Sequence, residues 1–449
     1  MATLPTLLRT LRHLTRQQVV HQLRTRLHGP ARKPRVDTSK GLTACSPVLA
    51  NFMAPAAEGL LTREGVCLLA QAPHNPWKTD NSRGSDNSHD SQTHGWSPPG
   101  RDPLWLYTLH YHGWLADKAT SVEACWKTID QWMLHHRQGV GWEPYPTSMR
   151  VLHWLGYLGR GDPGRTPADR QRILDSLAAQ LLHLADNQER HLDGNHLWTN
   201  YAALASAGLG LCGPLAAGLR KRFLPLFVKV VEDQLAADGG HRERTPSYHC
   251  LLASQLAGVV SLARIWGPPG SEMRNTAAYL DQQLARMVRV LPAFVHPDMD
   301  IALWGDSQLR APVTPAWLCN KLRQRLPLEG SADAPGSGFH RRCWGPWTVL
   351  WNAGGLGLPH QVGHLHGDAL ALELSLGRER VFVDAGVGTY VPGSARDASR
   401  CTPQHNTVTP TTGRIDQHEF WASHRIGGRA QVGDRTIGPE HLGGTVHGY

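Results

Sequence analysis

The sequence predicts an α+β multidomain chain, with a helical array over residues 101–330 and an antiparallel β region over 331–449. Three observations predict it. From about 103 to 325 apolar residues recur at the i, i+3, i+4 spacing of amphipathic helices, between Gly, Pro and Asp breaks. After about 335 the spacing changes to the alternation of strands. At 449 residues and 41% hydrophobic side chains, the chain can bury more than one core.

Taken in order, residues 1–100 form a basic helix and an irregular lead-in. Met1 to Pro34 is rich in Arg and His, and its apolar runs stop at pairs such as Leu7-Leu8 and Val19-Val20. It reads as a basic amphipathic helix, either packed on the domain with a solvated face or laid on a membrane surface. It lacks the apolar run of a secretory signal, and nowhere is there a run of transmembrane length. Thr79–Gly100 reads as a long polar surface loop. Candidate helices follow at 103–117, 120–137, 146–160, 168–189, 196–209, 213–236, 248–266 and 270–291. Breaks such as Gly161-Asp162-Pro163-Gly164 and Gly267-Pro268-Pro269-Gly270 keep the connections short, which implies antiparallel hairpins in an arc or toroid. No fixed-length repeat marks a regular solenoid. Trp347–Trp351, Ala369–Leu376, Glu379–Asp384 and Asn406–Thr409 read as strands, with Gly377-Arg378 as a hairpin turn. These are few strands for a closed sheet, so the expectation is a β domain cut short near Tyr449.

Net charge is +9, with 26 histidines besides, which suits a polyanionic partner. No nucleic-acid-binding module accompanies the charge, so nucleic acid is not expected as a partner. The chain holds 16 Trp against 7 Phe, and indoles both stack on sugars and fill cores. Eight cysteines stand scattered without a C-x-x-C pair, which points to mostly free, buried thiols.

Several clusters could carry chemistry. Gly363-His364-Leu365-His366-Gly367-Asp368, read as the start of a strand, places His364, His366 and Asp368 on one face with Leu370, Leu372, Leu374 and Leu376. The leucines mark that face as buried, and buried polar groups must be bonded or metal-bound. Asp193-Gly194-Asn195-His196 opens a helix, where Asp193 or Asn195 could be the cap. The turn from Asp238 to His249 contains His241, Glu243 and Tyr248. Tyr248, at a helix start near cations, is either a phenol with a lowered pKa or a capped half-buried tyrosine. Trp142, Tyr145 and Arg150 offer an aromatic and ionic set that suits a sugar carboxylate. Trp304-Gly305-Asp306-Ser307 is a similar turn. His366, Asp384 and His405 offer two nitrogens and one oxygen, a zinc-type set.

Together these motifs resemble the heparinase II/III family of polysaccharide lyases. The matching pieces are Gly194-Asn195-His196-Leu197, Thr245-Pro246-Ser247-Tyr248-His249, Gly363-His364-Leu365-His366-Gly367-Asp368-Ala369-Leu370, Val383-Asp384-Ala385-Gly386 and His405-Asn406-Thr407-Val408. Leu106 to Tyr111 and Trp142 to Arg150 resemble segments of exopolysaccharide-cluster members. The resemblance implies an incomplete α/α toroid followed by a β-sandwich, with the active site in the cleft between them. It implies β-elimination at a uronic acid, in a glycosaminoglycan, alginate or other exopolysaccharide. Asn195 and His196 would neutralise the carboxylate, Tyr248 would act as acid and, as in some members, also as base, and His364 as base or carboxylate partner. Trp142, Tyr145, Arg150, His241, Glu243 and Trp304 are the candidate substrate-binding residues. A structural Zn2+ would sit on His366, Asp384 and His405. Gly367 stands where the family frequently has alanine.

Two other readings remain open. One is a non-catalytic protein that binds acidic glycan or serves exopolysaccharide biosynthesis. The other is a zinc hydrolase, which lacks an H-E-x-x-H signature. The substrate class suggests the periplasm or cell envelope, and the N-terminus the cytoplasm.

Overall fold

The structure is a computed structural model. It describes residues 95–448 except 118–119, 161–165, 310, 356–357, 414 and 422–423. Before residue 95 it describes 4–16, 18–20, 23, 41–42, 52–53, 59–61 and 66–68. Most of the loop expected at Thr79–Gly100, and the break at Gly161–Gly164, lie outside the described residues.

A short helix α1 (Leu4–Leu11) and a small hairpin β1 (Gly59–Leu61) and β2 (Val66–Leu68) come first. The eight expected helices follow as α2 (Pro103–Tyr111), α3 (Val122–His135), α4 (Pro144–Gly159), α5 (Pro167–Asp186), α6 (Gly194–Gly210), α7 (Pro214–Gln234), α8 (Pro246–Ala263) and α9 (Glu272–Val290). Their starts are chemically marked. Asp102, Ser121, Thr166 and Ser271 accept backbone N–H groups as caps, and Pro103, Pro144, Pro167, Pro214 and Pro246 open helices where a missing N–H costs nothing. A further helix, α10 (Pro315–Leu322), leads towards the β part.

Helix α6 sits at the centre, packed on α4, α7 and α8. Apart from His196 it is buried along its whole length, and its alanines and glycines let neighbours approach closely. At Gly208 a Cβ would come within 2.5 Å of the Arg220 backbone nitrogen on α7, so only glycine fits that crossing. The core continues through Trp105, Trp114, Trp132, Trp154 and Trp198 into Phe339 and Leu350 of the sheet. Trp96 and Trp304 are fully buried too. For these indoles the core reading wins over sugar stacking.

The main sheet runs β3 (Ala332–Ala334), β4 (Phe339–Trp344), β5 (Trp347–Asn352), β6 (Leu372–Leu376) and β7 (Glu379–Phe382), each strand antiparallel to the next. Helix α11 (Ser394–Arg400) follows. Two hairpins complete the described chain, β8 (His418–Phe420) with β9 (Ile426–Arg429) and β10 (Gln431–Ile437) with β11 (Leu442–His447).

The structure corrects the expected strand at 369–376. Residues 363–371 form turns, and Leu370 takes φ 62°, a left-handed conformation that interrupts strand alternation. The alternation restarts out of phase. Glu373 and Ser375 are the buried residues of β6, while Leu372 and Leu376 are 38% and 41% exposed. His296 explains the inversion: its ring bonds Ser375 Oγ at 2.7 Å and Glu373 Oε2 at 3.0 Å. Asn406–Thr409 forms no strand. Cys125 is buried, Cys250 and Cys319 are buried free thiols, and Cys212, Cys343 and Cys401 are free and half-buried.

Candidate active site

The turn Trp304–Ser307 lies between α9 and α10 and packs against the β part. Gly305 takes φ 58°, and a Cβ there would press to 3.0 Å from the His364 carbonyl oxygen. Its N–H donates to Asp368 Oδ2 at 2.8 Å. This tight turn puts Asp306, 1% exposed, among three cation-forming side chains. His364 Nδ1 lies 2.6 Å from Oδ2, and His366 Nε2 lies 2.8 Å from Oδ1. Arg396 forks onto both oxygens, with its second nitrogen 2.9 Å from Oδ2. Burial pushes the Asp306 carboxyl up, but hydrogen bonds and charge from His364 and His366 outweigh it and hold it well below the usual carboxylate range. A permanent carboxylate at Nδ1 places the His364 ring proton there and leaves Nε2 with its lone pair.

Tyr248 lies in the first turn of α8. That turn is tied to the 304–308 segment: Ser247 N–H donates to Ser307 Oγ at 3.3 Å, and Gln308 N–H donates to Ser247 Oγ at 3.2 Å. The Tyr248 ring stands edge-on to His364, with 4.7 Å between centroids. Its hydroxyl is 2.9 Å from the Tyr390 hydroxyl, which donates to the Asp306 carbonyl at 3.3 Å. Of the two readings of Tyr248, the lowered phenol pKa does not hold. Burial, then the neighbouring Tyr390 and Asp306, push Tyr248 well above the usual tyrosine value. The Arg396 guanidinium lies within electrostatic reach but does not offset the loss of water, so the group stays a phenol and a proton donor.

On α6, Asp193 takes φ 58° but caps nothing; its carboxylate accepts Gln234 Nε2 at 2.9 Å and contacts His360. Asn195 is 3% exposed, and its N–H donates to Glu243 Oε1 at 3.0 Å. Gly194 makes room for that contact, because a Cβ would overlap Glu243 Oε1. Glu243 Oε2 is buried with no partner. Burial raises the Glu243 pKa, and His364, the Asn195 N–H and His196 act in the opposite sense. Asn195, His196, Glu243, Tyr248 and His364 thus border one polar region. His196 Nδ1 sits 2.9 Å from Glu189 Oε1, and its ring is 4.5 Å from Tyr145. Burial disfavours the His196 cation, but Glu189, then Glu243 and Glu143, outweigh it and raise its pKa.

The substrate-binding expectations divide. Tyr145 borders the polar region through His196 and influences Tyr248, and Glu243 lies within it. Arg150 does not: it is fully buried over the Trp132 ring, donating to Gln180 and to the carbonyls of His110 and Gly141. Trp304 is fully buried and stacked on Phe339. His241 is 2% exposed and bonded to Gln234. Trp142 packs against the core and donates to the His136 carbonyl. These four serve packing: Arg150 lies on α4, and Trp142, His241 and Trp304 lie on short segments between helices that fold inward.

The zinc-type set is not assembled as expected. Asp384 spends both oxygens on His405 Nδ1, at 2.8 and 3.0 Å, and His366 bonds Asp306 instead. His366 Nδ1 is buried without a partner. Among the described residues no group of three or more His, Cys, Asp or Glu is placed to hold a metal. A small cavity between Arg244, Leu365, His366, Asp368 and His418 lies beside this cluster, lined by neither Tyr248 nor His364.

Four residues of the site escaped the sequence reading of individual roles: Asp306, Tyr390, Arg396 and Glu189. Asp306 lay in a noted turn, where the tryptophan drew the attention. Tyr390 and Arg396 reach the site only through tertiary folding, and no local pattern marks them.

Residues 326–449, the β part, match the family model described as Heparinase II/III-like, C-terminal. No curated protein matches the chain. Among solved structures, one of heparinase III is similar over 94% of this chain and 69% of its own, at 16% identity and a TM-score of 0.60, a likeness of fold. The heparan sulfate lyase HepC from Pedobacter heparinus is similar over 79% of this chain and 60% of its own, at 19% identity and a TM-score of 0.49. A heparinase III gene product is similar over 71% of this chain and 60% of its own, at 20% identity and a TM-score of 0.48. The chain thus spans 60% of the length of these last two proteins.

Proposed function

We propose that this chain is a polysaccharide lyase that cleaves an acidic glycan by β-elimination at a uronic acid, in a cleft between an α/α toroid and a β-sandwich. The reading rests on one observation: Tyr248, from the helical part, and His364, from the β part, meet at 4.7 Å with His364 Nδ1 locked on Asp306. The proton at C5 of a uronate is removable only when the adjacent carboxylate charge is offset. The Asn195 amide and the His196 imidazole, whose cationic form Glu189 favours, supply that offset. His364 Nε2 takes the C5 proton as base. Tyr248, held as a phenol, gives its proton to the departing O4 oxygen. The 4-O-glycosidic bond breaks, and a C4–C5 double bond remains. Tyr390, bonded to Tyr248, fixes the orientation of that phenol. A substrate of this class favours the periplasm or cell envelope over the cytoplasm.

The test is ultraviolet absorbance of the conjugated uronate during incubation with heparan sulfate, hyaluronan, alginate and the host's own exopolysaccharide. A rise on one of them, lost in Tyr248→Phe with the melting temperature unchanged, is the expected outcome. Saturable glycan binding with no product would instead favour the non-catalytic reading.

A further inference from the structure

Helix α1 faces the protein with its polar side. Thr6 and Thr10 are buried. Thr6 Oγ1 donates to Glu419 Oε1 at 2.6 Å, and Thr10 Oγ1 donates to the Ile426 carbonyl at 3.2 Å. Arg9 pairs with Glu419 at 2.7 Å, and Trp421 Nε1 donates to Thr10 Oγ1 at 2.9 Å. The leucines point the other way. Leu4, Leu7, Leu8 and Leu11, spaced i, i+3, i+4, i+7, are 71%, 39%, 58% and 47% exposed. A helix packed on its own domain buries such a stripe; this one presents it outward. Val19, Val20 and Leu23 are exposed as well.

The charge of the same segment is one-sided. Residues 1–36 hold Arg9, Arg12, Arg16, Arg24, Arg26, Arg32, Lys33 and Arg35, with no Asp or Glu. Arg12 is within electrostatic reach of Arg429 on β9, which extends the positive patch onto the β part. We propose that this face docks the protein peripherally on an anionic lipid bilayer. Leucines bounded by cations match that surface: the side chains enter the boundary between headgroups and acyl chains, and the guanidinium groups meet lipid phosphates. An acidic glycan would engage the cations but give the leucine stripe nothing to bury against. No helix among the described residues is long and apolar enough to cross a membrane. The mooring on Glu419 and Trp421 ties this face to the β8–β9 hairpin, whose His424 ring stands 6.3 Å from that of His364.

The test is sedimentation of the whole chain with phosphatidylcholine vesicles, with and without phosphatidylglycerol, beside a parallel binding assay on acidic polysaccharide. Binding to the phosphatidylglycerol vesicles alone is expected, weakening as salt rises. The triple variant Leu4→Ser, Leu8→Ser, Leu11→Ser should lose about tenfold or more of that partition, and Arg12→Gln with Arg16→Gln should flatten its salt dependence. Both sets of side chains are exposed, so the melting temperature should not move. Absence of vesicle binding by the unaltered chain overturns the proposal, as does binding that ignores salt. Equal partition of the leucine variant overturns it too. Binding to polysaccharide but not to vesicles would make the glycan the partner of this patch.

Discussion

Asp306 decides what His364 can do. With one carboxylate shared by His364, His366 and Arg396, the imidazole is held in one tautomer and one orientation. Removing the charge while keeping the shape separates this role from packing. Asp306→Asn should lower kcat by roughly a thousandfold, as loss of an orienting carboxylate does in other histidine-based sites, with little change in KM. The pH profile of kcat should change with it, because the ring nitrogen proton is no longer fixed. Asp306→Asn also strips the buried Arg396 of its counter-charge, leaving it the Gly363 carbonyl and the Tyr390 ring, at a cost of about 3 kcal/mol, so the melting temperature must be followed in parallel. Unchanged turnover in a folded Asp306→Asn protein would remove this residue from the mechanism. The same logic explains what sequence could and could not reveal here. Tyr248, His364 and Asn195 sit in local patterns that a sequence carries. Asp306 and Tyr390 act through neighbours 58 and 142 positions away, and such proximity exists only after folding.

At the scale of elements, the helices were legible because each carries its own signals. A cap residue or an N-terminal proline marks the start, and the apolar period runs through the body. The β part was less so. The leucines of 370–376 suggested a buried face, yet the positive φ of Leu370 and the polar partner His296 reversed it. Alternation reports that two faces differ, not which faces inward. The helical part also holds a concentration of buried imidazoles. Burial pushes His110 and His112 well down, and pushes His136 and His241 to about 3 and His249 to about 4. Above the ordinary value of 6.5 both folded and unfolded chains leave these rings neutral. Below it only the unfolded chain takes up the protons. Stability therefore falls as pH drops from about 6.5 towards about 3, on the order of 1 kcal/mol per pH unit for each such histidine. His196 and His405, whose pKa values are raised, act oppositely: their contribution is full below 6.5 and lost as pH rises through their folded values. The depressed set is larger, so the melting temperature should decline on mild acidification. His136 stacks on His110 at 4.2 Å with both ring nitrogens unpartnered, so His136→Phe should make the decline shallower. A melting temperature indifferent to pH across this range would contradict the argument.

At the scale of the molecule, the proposed chemistry depends on a seam. Asn195 and Tyr248 stand on the helical side, His364 and Tyr390 on the β side, and no step works unless the two sides hold register. The seam is buried and polar. Arg244 reaches across it to the carbonyls of Ser337 and Gly355 and to Asn352 Oδ1, with its guanidinium over the Phe339 ring. Arg341 donates to the Val295 carbonyl at 2.7 Å, and Arg380 pairs with Asp298. Directional bonds of this kind fix position in a way that apolar contact alone does not, and a buried charge that loses its partners is expensive. Arg244 is 9% exposed, so Arg244→Met keeps bulk and apolar contact while deleting the crossing bonds. Its own cost is the orphaned carbonyls, about 1–3 kcal/mol each when water cannot reach them. The melting temperature should fall by several degrees. Activity should fall further than stability explains at temperatures where the variant remains folded, because a shift of about 1 Å between Tyr248 and His364 costs roughly a hundredfold. Calorimetry supplies the discriminating readout. If the seam couples the two parts, the unaltered chain melts in one transition and Arg244→Met separates it into two. A variant that melts as one unit with full activity would mean that the apolar core continuing into Phe339 and Leu350 sets the register by itself.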